Sequence, residues 1–154
     1  MKKLLYCFGI ALIIILGACS NTANNKKELN DIKDIYVYES EVKPNYLELE
    51  DGYIRVNFDW EFGKNEDTLI KKTFMESNIS INAYQGSQML ILDAKKSSGL
   101  GNKIYEKSKG NVSLAYKLIN NTTPVDFKVF YAKLESKNQP IKFSVDISEL
   151  SAPK

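Results

Sequence analysis

From Tyr53 to Phe62 the chain alternates strictly between two kinds of residue. Ile54, Val56, Phe58, Trp60 and Phe62 occupy one phase, and Tyr53, Arg55, Asn57, Asp59 and Glu61 the other. A helix turns about 100° per residue and would mix the two sets, whereas a strand sends successive side chains to opposite faces. The pattern therefore predicts a half-buried strand. It recurs in Val112, Leu114, Tyr116 and Leu118 against Ser113, Ala115 and Lys117, and again in Val125, Phe127 and Val129. Ile141, Phe143, Val145 and Ile147 alternate with Lys142, Ser144, Asp146 and Ser148. Shorter cases are Ile79, Ile81 and Ala83, and the stretch Gln88 to Leu92.

Turn chemistry separates these segments. Asp51-Gly52 is a two-residue hairpin signal, and Gln85-Gly86-Ser87 joins two strands. Ser97 to Asn102, Asn120 to Pro124 and Lys137 to Pro140 read as loops. Eight or nine short strands with no long amphipathic helix predict an all-β chain, folded as an open antiparallel sandwich of two sheets.

The first residues follow a different rule. Lys2 and Lys3 precede an apolar run from Leu4 to Ala18. Fifteen helical residues span roughly 22 Å at 1.5 Å each, and a bilayer core needs about 20 residues. The run has the charge, length and small-residue end of a secretory signal. Leu16-Gly17-Ala18-Cys19 resembles the lipobox of bacterial lipoprotein precursors. That resemblance implies a diacylglyceryl group on the Cys19 thiol and cleavage between Ala18 and Cys19. A plain signal peptide with an incidental cysteine, or an uncleaved anchor helix, are the other readings of the same run. Cys7, inside it, reads as a small hydrophobe. Two acyl chains give stable anchoring where one gives only reversible attachment, so the expected location is the extracytoplasmic face of the cell membrane. The chain then divides into a signal at 1–18, a lipidated N-terminus and polar tether at 19–33, and a globular domain at 34–154. About 14 tether residues would hold that domain about 20 Å from the lipid.

Removal of residues 1–18 leaves 136, enough for one domain with a sizeable core. The chain carries 21 Lys and Arg against 19 Asp and Glu, and Lys2 and Lys3 supply the excess. A balanced domain with a single arginine, Arg55, offers no footprint for nucleic acid. Histidine is absent and the mature cysteine is the lipidated one. Histidine-dependent nucleophilic triads and zinc sites built from His or thiolate are therefore excluded, and no cofactor or metal is expected.

Tyr53 to Tyr131 resembles a family of immunoglobulin-like domains of unknown function found in secreted lipoproteins of Gram-positive bacteria. The resemblance lies in the aromatic strand Val56-Asn57-Phe58-Asp59-Trp60 and in the hairpin Tyr84-Gln85-Gly86-Ser87-Gln88-Met89-Leu90. It continues from Gly110 through Ala115-Tyr116-Lys117-Leu118 to Pro124-Val125. After Trp60 the chain departs from the family's asparagine-rich turn and has Glu61-Phe62-Gly63-Lys64-Asn65. The resemblance implies an immunoglobulin-like antiparallel β-sandwich of about seven to nine strands, and a surface location. It implies no reaction.

Among nine tyrosines, Tyr36, Tyr38, Tyr53 and Tyr84 are candidate surface aromatics for glycan or protein contact. The competing reading is that tyrosine suits half-buried strand positions. Trp60 shares the phase of Val56 and Phe58 and is expected in the core. Asn65-Glu66-Asp67-Thr68 offers oxygen ligands for calcium but fits no loop spacing and reads as a solvated turn. Glu48, Glu50, Asp51, Asp59 and Glu61 could in principle supply a carboxylate pair for glycoside hydrolysis, but all fall on the outward phase or in a turn. Lys71-Lys72 and Lys95-Lys96 read as solvated charges. The function these residue types favour is a non-enzymatic binding or adaptor module, anchored to the membrane by lipid and facing an envelope protein or glycan. A protective lipoprotein, conferring toxin immunity or phage exclusion, and a histidine-free carboxylate enzyme are the alternatives.

Overall fold

The structure, a computed structural model, describes residues 25–37, 39–63, 70–131 and 139–150. The signal run, Leu16, Gly17, Ala18, Cys19, Tyr38 and the Asn65-Glu66-Asp67-Thr68 stretch lie outside them. The described chain is all-β, with one 3-10 turn at Met75–Ser77. Among the described residues no helix is long and apolar enough to cross a membrane.

The first sheet contains β1 (Lys26–Glu28), β2 (Ile35–Val37), β3 (Ser40–Glu50), β4 (Tyr53–Phe62), β8 (Ile91–Leu92) and β10 (Gly110–Lys117). Its order is β1-β3-β4-β10-β8, with β2 also on β3. The second sheet runs β12-β11-β6-β7, from Ile141–Val145, Val125–Tyr131, Ile79–Gln85 and Gln88–Met89. A small ribbon pairs β5 (Lys71–Lys72) with β9 (Ile104–Tyr105). Every pairing is antiparallel.

The Asp51-Gly52 hairpin forms as expected between β3 and β4. Asp51 has φ 49° and Gly52 φ 77°, and positive φ at both central residues is what a type I′ turn requires. All five apolar residues of β4 are buried, none more than 4 % exposed. Tyr116 of the first sheet meets Phe127 of the second edge-on at 6.2 Å, and Phe127 stacks on Phe143 at 4.9 Å. The two sheets thus close over one core.

The Tyr116 hydroxyl crosses that core and donates to the Ile81 carbonyl of the other sheet. Burial pushes its phenol above the ordinary range. Tyr116→Phe keeps the ring and deletes this single link. A loss of about 1 kcal/mol in unfolding free energy is expected, read from urea midpoints at unchanged slope. An unchanged midpoint would show that the link contributes nothing to stability.

Several details correct the sequence reading. The expected tether is folded where it is described: Lys26–Glu28 pairs with β3, Leu29 is buried, and Ile32 packs on the core. The cause is a bulge in β3 between Pro44 and Tyr46. Proline has no N–H to give the ladder, and the extra residue, Asn45, turns its carbonyl to the Leu29 N–H at 2.9 Å. Gln88 to Leu92 is two strands in two sheets rather than one. Leu90 points inward between them and donates its N–H to the Ala83 carbonyl. Ser113 and Ala115, expected outside, are buried because the loop 93–98 folds against β10. There Ser97 Oγ accepts the Ala115 N–H at 3.0 Å and Ser98 bridges to Ser113. The last strand stops at Val145, with Ile141 exposed and Ile147 buried beyond the strand end.

Candidate binding surfaces

The aromatic candidates do not converge. Tyr36 lies on β2 opposite Glu41, and Glu41 in turn pairs with Glu61 at the end of β4. Tyr53 begins β4, eight residues from Glu61 on the same outward phase, or about 27 Å at 3.4 Å per residue. Tyr84 sits on the outer face of the second sheet. These three tyrosines therefore do not form one patch, and Tyr38 falls outside the described residues.

Four tyrosine rings that reach the surface, Tyr105 exposed and Tyr46, Tyr53 and Tyr84 half-buried, are covered from within the chain. Lysine ammonium groups stand over Tyr46 (Lys26, 3.9 Å), Tyr84 (Lys128, 4.0 Å), Tyr105 (Lys71, 4.3 Å) and Tyr53 (Lys96, 4.4 Å). Such contacts contribute about 0.5–1 kcal/mol each at exposed sites, and they occupy a face that a sugar ring would need. Lys71 and Lys96, expected as merely solvated, are held this way. Tyr36 differs: it is 67 % exposed, and the neighbouring Glu41 carboxylate pushes its phenol up.

Tyr36 also borders a cleft of about 510 Å³. The turn 29–34 forms one wall and the β3 bulge the other, with Asn30, Lys33, Lys43 and Asn45 at its rim. Amide donors and acceptors, two ammonium groups, the Asp34 carboxylate and the Tyr36 phenol, which bonds Glu41, make a mixed-charge lining suited to a polar ligand. The sequence reading missed this cleft because it assigned residues up to 33 to a tether. Leu29 and Ile32, spaced three apart in a polar stretch, were the available signal.

The acidic candidates are spent on structure or spread over an open face. Glu50 Oε2 receives both Arg55 Nη2 and Nε at 2.6 and 3.0 Å, while Arg55 Nη1 donates to the Lys96 carbonyl. Asp59 accepts from Asn111, which also exchanges two amide hydrogen bonds with the buried Asn57. Burial acts to raise the Asp93 carboxyl, but the backbone N–H groups of Lys96 and Lys95 outweigh it and hold the group below its ordinary range. Among the described residues, no three His, Cys, Asp or Glu side chains are placed to hold a metal ion.

A second cleft, of about 470 Å³, lies between the loop 99–104 and the start of β10. Gly99, at φ +78°, packs so closely on this strand that a Cβ would stand 2.2 Å from the Asn111 carbonyl oxygen. Trp60 borders this cleft but is only 1 % exposed, so it offers no stacking platform.

No family model matches the chain, and no curated protein or solved structure matches it.

Proposed function

We propose that this chain is a lipid-anchored surface protein whose immunoglobulin-like domain binds an envelope protein or glycan without catalysis. The observation that carries the reading is Leu16-Gly17-Ala18-Cys19 at the end of a charged-then-apolar run too short to span a bilayer comfortably. The immunoglobulin-like part is supported by strand order. With β3, β4, β10 and β8 taken as A, B, E and D, and β6, β11 and β12 as C, F and G, the sheets read A-B-E-D and G-F-C. That is the strand distribution of a constant-type immunoglobulin sandwich. The disulfide of antibody domains is missing, and the tryptophan stands on the second of these strands rather than the third. Ligand contact belongs at the cleft beside Tyr36, where an open ring meets amides and ammonium groups.

Cells supplied with labelled palmitate test the anchor. The wild-type chain is expected to incorporate label and Cys19→Ser to incorporate none. Unlabelled wild-type protein would contradict the reading.

A further inference from the structure

The charges of the domain balance in number but not in place. Residues 26–61 carry ten acids against five basic residues. Residues 93–112 carry five lysines against Asp93 and Glu106. The cleft between the loop 99–104 and the start of β10 lies in this basic part. Lys103 and Lys109 border it together with Asn102, and no carboxylate lines it.

Both lysines are exposed. Among the described residues neither forms an ion pair, and neither stands over a ring as Lys71 and Lys96 do. The carboxylates of this region are committed elsewhere. Asp93 accepts the Lys95 and Lys96 N–H groups. Glu106 packs against Gly63. Glu76 feels the charge of Lys103, but its Oε2 already accepts the Thr73 N–H and hydroxyl. Glu41, Asp59 and Glu61 share a hollow of about 10 Å³ with Lys109, room for one water at most.

The walls of the cleft are set in advance. Ser98 exchanges two backbone hydrogen bonds with Ser113, at 2.8 and 3.0 Å, and the Asn102 N–H donates to the Gly99 carbonyl at 3.1 Å. The close seat of Gly99 on β10 fixes the loop between them. Such a site loses little freedom when a ligand enters, and its volume is that of an ordinary ligand pocket.

We infer that this cleft is a second ligand site, separate from the one at Tyr36, and that it takes a phosphate group carried by a polymer of the envelope. Lysine binds phosphate as a compact point charge. The planar fork that pairs best with a carboxylate belongs to arginine, and Arg55 is engaged by Glu50. The choice of a polymer over a lipid headgroup rests on the anchor at Cys19 and on topology. The chain enters the first sheet at Asn25, whose carbonyl accepts the Leu49 N–H, and Leu49 lies opposite Ile54. Gly110, at the cleft, lies opposite Trp60. Six residues of β4 separate the two levels, about 20 Å at 3.4 Å each, so the cleft is at the end away from the lipid.

Binding of linear polyphosphate to the full chain, purified from membranes in neutral detergent, tests this. Saturable binding is expected, with inorganic phosphate competing and polyglutamate of matched charge binding clearly more weakly. Lys103→Gln with Lys109→Gln should weaken it about tenfold. Gly99→Ala keeps every charge but displaces the loop, and should weaken it as well. Lys117→Gln with Lys142→Gln removes the same charge from exposed positions elsewhere and should leave it unchanged. Phosphatidylglycerol added to the micelles should not compete. Far-ultraviolet circular dichroism checks the fold of each variant. The proposal is overturned if polyphosphate does not saturate, if inorganic phosphate fails to compete, or if polyglutamate binds equally. Equal loss in the two lysine pairs, or a folded Gly99→Ala variant that binds like wild type, would also overturn it. Competition by phosphatidylglycerol would overturn the choice of a polymer. The polyphosphate results hold whether or not Cys19 is lipidated and whether or not the cleft at Tyr36 binds anything.

Discussion

Trp60→Ala is expected to lower the unfolding free energy by about 3–5 kcal/mol, the usual range for deleting a large buried aromatic side chain. Trp60 is 1 % exposed, stacks on Phe62 at 5.5 Å and receives Phe74 edge-on at 5.5 Å. Removing it leaves a void whose lining cannot easily collapse, because Phe62 belongs to the same strand and Phe74 also packs on Phe58. Against a total stability of about 5–15 kcal/mol, that is a large share of the margin, and the urea midpoint should fall in proportion. Trp60→Phe should lose clearly less. The indole Nε1 is buried without a hydrogen-bond partner, and phenylalanine carries no such unsatisfied donor. Urea denaturation of the three proteins checks the ordering. A loss below about 1 kcal/mol for alanine would show that Trp60 is not the core element described.

The second large effect belongs to Gln85. It lies at the end of β6, is buried, and uses its whole amide. Nε2 donates to the carbonyls of Asn120 and Thr123, both at 2.9 Å. Oε1 accepts the Ile119 and Asn120 N–H groups at 2.8 and 3.3 Å. The side chain thereby replaces water for the loop that returns from β10 to β11. Gln85→Ala strands those groups, and a loss of about 3 kcal/mol is expected, since each orphaned buried group costs about 1–3 kcal/mol.

Gln85→Glu is the sharper test. A carboxylate there would face two carbonyl oxygens, so its pKa in the folded state must lie above its unfolded value of about 4.3. The folded variant then holds its proton more tightly than the unfolded chain. Its stability relative to wild type is best below pH 4.3 and falls as pH rises through the folded pKa. A gap that stays constant from pH 4 to 7 would contradict the hydrogen-bond assignment.

Legibility followed the physics of each segment. The β4 pattern was readable because one face is buried and the other largely wet, so period 2 survives in the residue types. β10 was misread on one face because the loop 93–98 covers Ser113 and Ala115, and small residues leave no apolar signature. Gln88 to Leu92 read as one strand because alternation cannot reveal that a chain changes sheet at Leu90. The N-terminal strand was hidden in polar composition, for Lys26, Lys27 and Glu28 form an edge where charge is what a soluble sheet requires. The cleft at Tyr36 depends on the Asn45 bulge, which local propensity does not announce. Tyr36, Tyr53 and Tyr84 stand on strands, but the lysine covers of Tyr53 and Tyr84 come from residues far away in sequence, such as Lys128 over Tyr84.

The anchor at Cys19 remains the premise on which the proposed role rests. Its most direct test is the mass of the N-terminal peptide of the protein purified from cell membranes. The account predicts a peptide beginning at Cys19, with the first 18 residues gone and the cysteine heavier by a diacylglyceryl group. A peptide beginning at Met1, or an unmodified thiol at Cys19, would contradict it.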